Sequence, residues 1–201
     1  MNPVYVTDII GEVVTKAKSA VVKKNPNKTL LEVIQENEKA THEDESDSLI
    51  ETINYQYGHK RELIETLVGM SKEEQNRVLK YPLVYLVQDF SETRGKEPGI
   101  YADVSLNILF VHHTVNTSKI KARYEKVFKP VLYPIYYEFM EQLSKHPQIH
   151  VEDPRRIRHK KTDRSYWGRQ AVGGNDGLKL TDFVDAIEVE DLQIKILFKN
   201  C

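Results

Sequence analysis

The most regular hydrophobic pattern in this chain is an alternation of apolar and mostly polar residues between positions 103 and 110. Its apolar members are Val104, Leu106, Ile108 and Phe110. This two-residue period predicts a strand with one buried face. The uninterrupted apolar run Pro82–Val87 predicts a preceding strand, either covered on both faces or lying in the middle of a sheet. We expect the polar segment Ser91–Gly99, with two glycines and one proline, to form the hairpin loop between them.

The last apolar pattern, Ala186–Phe198, changes its parity part-way along. Ile187 and Val189 fall on odd positions, whereas the apolar residues from Leu192 onward fall on even ones. A strand that keeps one face buried changes parity only by inserting a residue. We therefore expect a β-bulge at Glu190–Asp191.

Apolar residues at spacings of three and four predict helices in several regions. The first helix is capped by Thr7 or Asp8 and ends before Pro26. The segment Thr29–Glu32 reads as a capping box that opens a short helix. A further helix covers His59–Val68.

A longer helix is predicted by an apolar stripe that repeats every four residues between Val127 and Leu143. Pro130 and Pro134 fall inside this stripe. The ring of Pro134 crowds the carbonyl group four residues earlier, and this proline has no N–H to donate. We therefore expect a kink or a fresh helix start near Tyr133.

The order of the elements predicts an α+β fold. We expect a mainly antiparallel sheet of about four strands with helices packed on one face, plus an N-terminal helical arm. One more strand is expected through Ile157 and His159, followed by an irregular segment, Ser165–Lys179. The loop between the two clearest strands is too short for a parallel crossover. The chain then divides into an N-terminal helix with an acidic linker (1–48) and a core domain (49–201).

The composition is that of a folded chain, with 40% hydrophobic and 29% charged residues among 201. No apolar run reaches the ~20 residues of a membrane-spanning helix, and the N-terminus lacks the features of a secretory signal. Cys201 is the only cysteine, which excludes an internal disulfide and a cysteine-based metal cluster. A net charge of −1 argues against attraction of the whole molecule to nucleic acid. We expect a soluble, intracellular protein.

The charges are concentrated in two segments of opposite sign. Between Glu36 and Glu51 there are seven acidic residues and one lysine, a composition typical of a solvated linker. Between Arg155 and Arg164 there are six basic residues and one aspartate. This basic segment is either a charged edge strand that resists aggregation or a docking patch for an acidic surface or a phosphate backbone.

No segment carries the signature of an active site, and we expect neither enzymatic activity nor a cofactor nor a metal. There is no phosphate-binding loop, and Gly173–Gly177 is best explained as a turn. His112 and His113 are adjacent on a strand, so they point to opposite faces and do not chelate together. The run His42–Glu45 resembles metal ligands only by composition. Trp167 either stacks on a nucleic-acid base or anchors a loop in the core.

Several segments together carry a family resemblance. They are Tyr57–Leu67, Lys80–Gly95, Tyr101–Val111, Arg123–His146, His159–Arg169 and Asp182–Ile196. In this order and spacing they resemble tail-terminator-like neck proteins of bacteriophages that infect Bacteroidetes, including short-tailed crAss-like phages. The likeness runs from about Ile53 to Phe198, and its specificity comes from the ordered set.

The resemblance implies a structural virion protein made in the host bacterial cytoplasm. Its copies would form a ring around the DNA channel between portal and tail, touching the portal or adaptor and other neck or tail rings. The ring would encircle DNA without reading its sequence. The same resemblance implies an α/β sandwich without enzymatic activity or cofactors. This chain departs from the family pattern between Lys23 and Leu49, where relatives pass more directly into the tyrosine-rich strand.

Charged segments without apolar residues are the candidate contacts with other subunits or partners. We expect these contacts to involve Arg94, Lys96, Arg155, Arg156, Arg158, Lys160, Lys161, Arg164 and Trp167. The alternative is a small nucleic-acid-binding module that uses the basic segment 155–164 and Trp167.

Overall fold

The computed structural model describes residues 5–23, 52–71, 80–94, 101–114, 118–153, 156–167 and 183–197. Within these residues the chain forms three helices and six strands. Helix α3 is continuous over 120–145 and consists of Ile120–Arg123, a π-helical part Tyr124–Leu132, and Tyr133–Lys145. The other elements are α1 (Val6–Lys23), β1 (Asn54–Gly58), α2 (Lys60–Ser71), β2 (Leu83–Arg94), β3 (Tyr101–His113), β4 (Ile149–His150), β5 (Lys160–Trp167) and β6 (Val184–Leu197).

The strands form one mixed sheet in the order β1-β2-β3-β6-β4, with β5 also paired to β6. The α+β class is therefore correct, but a mainly antiparallel sheet of about four strands is not. Strand β1 runs parallel to β2, from Asn54 beside Leu83 to Gly58 beside Val87. Two parallel strands need a connection that returns the chain to the end of the sheet where both strands begin. Helix α2 lies in the connection between β1 and β2. Strand β4, at Ile149–His150, contains too few residues for a side-chain period to reveal it.

Helices cover both faces of the sheet, so the expectation of helices on one face is wrong. Helices α1 and α3 pack on the face that carries Val104, Leu106 and Ile108. Helix α2 packs on the opposite face, against Leu83 and Tyr85 among others. Strand β2 needs this double cover because five consecutive residues, from 83 to 87, are buried. The uninterrupted apolar run had indicated such a strand.

The β2–β3 hairpin is longer than its apolar residues indicate. Ser91 and Arg94 lie within β2 and face Ser105 and Ala102 of β3. The predicted hairpin loop Ser91–Gly99 therefore begins too early, since backbone pairing continues where the side chains become polar. Residues 95–100 lie outside the described part of the chain.

The predicted β-bulge in the last strand is confirmed. Ile108 of β3 faces Val189, and Leu106 faces Leu192, so two residues of β6 oppose one of β3. Asp191 has a φ of 54°, and its N–H donates to the side-chain oxygen of Asn107 at 3.1 Å. The inserted residue lets both halves of β6 bury their apolar side chains in the same core.

Near Tyr133, where a kink or a fresh helix start was expected, the hydrogen bonding changes from π-helical to α-helical within one uninterrupted helix. The amide of Tyr133 donates to the carbonyl of Phe128, five residues earlier, where the π-helical part ends. Pro134 then occupies the first turn of the α-helical part, where its missing N–H leaves no hydrogen bond unmade.

The expected strand through Ile157 and His159 is displaced, because regular pairing with β6 begins only at Lys160.

Helix α1 belongs to the main core. Ile10 and Val13 are fully buried, in one cluster with α3 and the sheet. The helix begins at Val6, slightly earlier than the predicted caps. The predicted helix that opens at Thr29 and the acidic segment 36–51 lie outside the described residues, so the division at residue 48 stays a prediction.

A buried ion pair joins the start of α3 to β6. Arg123 and Asp185 have fully buried side chains, and Nη1 of Arg123 lies 2.6 Å from Oδ1 of Asp185. The Nε–H of Arg123 donates to the carbonyl of Ser118 at 3.0 Å, and its guanidinium lies 3.5 Å from the ring centroid of Tyr166. The same Asp185 oxygen accepts the Tyr166 amide at 3.0 Å.

Candidate functional site

The outer half of the sheet carries an open polar groove of about 540 Å³. Beyond the register shift between Val87 and Ser91 of β2 and the bulge of β6, the inward residues of β2, β3 and β6 contact the α1–α3 layer. Alternate residues of these strands point to the opposite face. Helix α2 packs against the other half of that face. The floor of the groove is formed by cross-strand neighbours, namely Ser91, Thr93, Asp103, Ser105, Gln193 and Lys195.

One rim of the groove is the segment that links β4 to β5. The amide of Gln193 donates to the carbonyl of Arg158 at 3.0 Å, which fixes this segment against β6. The amide of Arg156 donates to the carbonyl of Asp153 at 2.9 Å. Glu152 lies 3.5 Å from the ammonium of Lys195. The backbone of the rim is therefore held in place while its side chains face the groove.

Arg156 and Arg158 are the predicted contact residues that line this groove. Both side chains are exposed, and the structure shows no ion pair between either arginine and a carboxylate of the described chain. Asp103 is the acidic residue of the groove floor. Arg155, which was predicted to act with them, lies outside the described residues.

The other half of the predicted basic segment is a paired edge strand. Nζ of Lys160 lies 2.7 Å from Glu190, and Arg164 Nε lies 2.6 Å from Glu188. The hydrogen bond between Lys160 and Glu190 raises the pKa of the lysine and lowers that of the glutamate. Lys161 pairs with a neighbour on its own strand, 2.5 Å away. These cations match the charged-edge-strand interpretation.

Trp167 is a core residue. Its side chain is buried beside α2 and the start of β6. The indole N–H donates to Oε1 of Glu188 at 3.1 Å, so its polar atom is satisfied inside the protein. The interpretation of Trp167 as an anchor in the core is therefore correct, and its ring does not offer a free face for stacking on a base.

The remaining predicted contact residues lie at the far end of β2. The side chain of Arg94 is exposed and its Nε lies 2.7 Å from Glu92. Such exposed pairs contribute little to stability. Lys96 lies outside the described residues.

Sequence reasoning missed an aromatic patch on the outer side of α3. Tyr137 is 63% exposed and Tyr124 is 38% exposed, and the rings of both contact Tyr133. The hydroxyl of Tyr133 bonds to that of Tyr124 and donates to Asp163 at 2.6 Å. Burial and these hydrogen bonds raise the pKa of Tyr133. The dense tyrosines of residues 133–137 were a signal for this patch, since tyrosine is enriched at protein interfaces.

The described residues contain no group of three histidine, cysteine or acidic residues placed to hold a metal ion. His112 faces Asp185 across the β3–β6 pair, and burial, with a smaller effect from His113, lowers the pKa of His112 to about 3. This histidine is therefore neutral at physiological pH. The predicted turn Gly173–Gly177 and the run His42–Glu45 lie outside the described part of the chain.

No family model, curated protein or solved structure matches this chain. None of the helices in the described residues is long and apolar enough to cross a membrane.

Proposed function

We propose that this chain is a structural virion protein of a bacteriophage whose copies form a ring in the neck or tail, around the DNA channel. The ordered resemblance to tail-terminator-like neck proteins supports this role. In the same proposal the fold is a variant of the tail-terminator type, the protein is not an enzyme, and it is made in the bacterial cytoplasm and ends in the virion.

The observation that supports the proposal is that two unlike surface features, each a candidate contact surface, lie on opposite faces of the fold. The polar groove, with Arg156 and Arg158, lies on one face of the sheet. The aromatic patch of Tyr124 and Tyr137 lies on the helical layer of the other face. A ring closes by head-to-tail contacts, so each subunit needs two unlike surfaces. Arginine and tyrosine are also the residues that most often dominate interface energetics.

The nucleic-acid-binding alternative has less support. Three of its cations, Lys160, Lys161 and Arg164, already pair with carboxylates of the same chain, and Trp167 is buried. A phosphate backbone gains most from cations that are not already neutralised. A gel-shift assay at moderate salt tests this alternative directly, and micromolar DNA binding with a steep salt dependence would favour it.

Mass spectrometry of purified particles of the phage that encodes this chain tests the proposed role. We expect the protein in mature particles, at a copy number that is constant between preparations and consistent with one closed ring. Absence of the chain from mature particles would refute the proposal.

Charge reversal in the phage tests whether the groove takes part in assembly. We expect R156E/R158E to lower the yield of infectious particles by at least about tenfold, since reversed charges at a contact suppress association. The matched control is K119E/K121E, which reverses two exposed lysines around the start of α3, outside the groove. Circular dichroism of the wild type and both purified variants checks that all three chains fold. Normal yield from a folded R156E/R158E variant would contradict a role of the groove in assembly.

A further inference from the structure

Strand β1 is an edge of the sheet that lacks the usual protection against pairing. Among the described strands it pairs only with β2. Its five residues include no charged side chain and no proline, the features by which exposed edges resist further pairing, and Tyr57 is 53% exposed. At the other side of the sheet, beyond β6, strand β5 carries Lys160, Lys161 and Arg164. Of these two edges, β1 is the one whose side chains permit another strand to pair.

The backbone of β1 directs every second residue away from β2. The amide of Asn54 donates to the carbonyl of Pro82 at 2.9 Å, and the parallel pairing stays in register along the strand. In a parallel pair, alternate residues direct both of their backbone groups to the same neighbour. The even-numbered residues of β1 therefore bond toward β2, whereas Tyr55 and Tyr57 direct their N–H and C=O groups outward.

The two outward residues match a second copy of the same strand. In an antiparallel pair, opposite residues exchange both backbone hydrogen bonds at every second position. When two β1 strands pair around Gln56, Tyr55 of each copy lies opposite Tyr57 of the other, and each of these tyrosines offers outward backbone groups. Aromatic side chains that lie opposite each other across two strands stabilise such a pair. We propose that β1 pairs antiparallel with β1 of a second copy, across a twofold axis at Gln56, so that one sheet continues through both chains.

The charges beside β1 favour the same partner. A trough of about 510 Å³ between α1 and β1 is lined by the exposed side chains of Asp8, Glu12 and Lys16. Glu12 lies 3.1 Å from Nε2 of His146, whereas Asp8 and Lys16 form no ion pair with another described residue. A twofold axis perpendicular to the sheet makes the two α1 helices antiparallel, so Lys16 of each copy approaches Asp8 of the other. This flank of α1 is therefore complementary in charge to itself.

The β1 contact is separate from the proposed ring. The polar groove lies beside Ser91 and Thr93, beyond the residues of β2 that pair with β1. The aromatic patch lies on the side of α3 next to β5, since Tyr133 donates to Asp163 there. Pairing through β1 leaves both of these surfaces uncovered. The inference does not rest on the proposed function, and either proposal can fail without the other.

Sedimentation velocity of the full-length protein tests the association. We expect a species of twice the 23.4 kDa chain mass, whose population rises with concentration across the micromolar range. Y57K places a charge on the open edge, and we expect it to raise the dimer Kd by at least about tenfold. S165K adds the same charge at an exposed residue of β5, and as the matched control it keeps the Kd within about twofold.

Two results of this measurement would overturn the inference. One is a wild type that stays monomeric throughout this range, as expected if another segment of the same chain covers β1. The other is an equal Kd for the wild type and Y57K. Circular dichroism checks that both variants fold.

Charge exchange on α1 tests whether the two helices lie antiparallel. D8K and K16D each bring like charges together across the axis, so we expect each to raise the dimer Kd by at least about threefold. The double variant D8K/K16D restores opposite charges and should return the Kd to within about twofold of the wild type. A double variant that binds no better than the single variants would contradict the antiparallel arrangement.

Disulfide trapping tests the register of the two strands. In a pair centred on Gln56, the two Gln56 Cα atoms lie about 4.5 Å apart, within the range of a disulfide. We therefore expect Q56C/C201S, which lacks the native Cys201, to form a covalent dimer on mild oxidation. N54C/C201S is the control from the same strand, because the two Asn54 residues would lie about 13 Å apart along the strands at ~3.3 Å per residue. No covalent dimer of Q56C/C201S, or equal trapping of both variants, would overturn this register.

Discussion

Replacing Asp185 with alanine removes the carboxylate that lies against the buried guanidinium of Arg123. Both side chains have no exposed surface, and they meet at 2.6 Å. The guanidinium retains the carbonyl of Ser118 at 3.0 Å and the face of the Tyr166 ring. None of these neighbours carries the negative charge that offsets its desolvation. The amide of Tyr166 also loses its acceptor.

The expected loss of stability follows from this geometry. Removing one partner of a buried ion pair costs about 3–5 kcal/mol, because the remaining charge stays desolvated. A typical domain has only about 5–15 kcal/mol of unfolding free energy. We therefore expect D185A to lose about a fifth or more of the total. The double variant R123M/D185L removes both charges, so we expect it to be more stable than D185A.

Guanidinium denaturation followed by tryptophan fluorescence measures these differences. Trp167 is the only tryptophan of the chain and is buried next to Tyr166, so its emission reports on the region around the ion pair. The matched control is E190Q, which removes an exposed ion pair of the same strand and is expected to cost no more than about 1 kcal/mol. Far-ultraviolet circular dichroism provides an independent measure of unfolding.

Two results would refute this reasoning. One is a loss below about 1 kcal/mol for D185A, which is the range of an exposed pair. The other is a double variant that is less stable than D185A, since the buried charge would then not be the cause of the loss.

Three further predictions concern the sheet and its first helix connection. Burial lowers the pKa of His112 to about 3 in the folded chain. Between pH 6.5 and 3 the unfolded chain therefore binds a proton that the folded chain does not, so the free energy of unfolding falls as pH falls. Between pH 7 and 5 the wild type should lose roughly 2 kcal/mol more of this free energy than H112F. Gly58 has a φ of 152°, and a Cβ there meets the carboxylate of Glu62, so G58A should lose about 2 kcal/mol in chemical denaturation. Asn107 accepts the Asp191 amide at the bulge, so N107A should lose about 1 kcal/mol in the same assay.

Each of these has a contradicting result. Parallel pH–stability curves for the wild type and H112F would mean that His112 does not resist protonation in the folded state. An unchanged denaturation midpoint for G58A or N107A would mean that the backbone at that position relaxes without cost.

Local periodicity in the sequence determined several features of this fold. The change of parity between Val189 and Leu192 required an inserted residue, and the bulge lies there. Pro134 cannot continue a regular hydrogen-bond ladder, and an α-helical segment begins at Tyr133. The apolar run after Pro82 indicated a strand either covered on both faces or in the middle of a sheet, and β2 is both. These features depend only on side-chain spacing and proline geometry within a few residues.

The tertiary structure alone decided which distant segments meet. Nothing near Arg123 or Asp185 in the sequence predicts a bond between residues 62 positions apart. The basic segment 155–164 has uniform charge along the chain, yet pairing with β6 neutralises Lys160 and Arg164 while Arg156 and Arg158 line the groove. The sequence determines the spacing of apolar and polar residues within each segment. The partner of a charge or of a strand edge depends on how the whole chain packs, because those interactions act through space between residues that are far apart in the sequence.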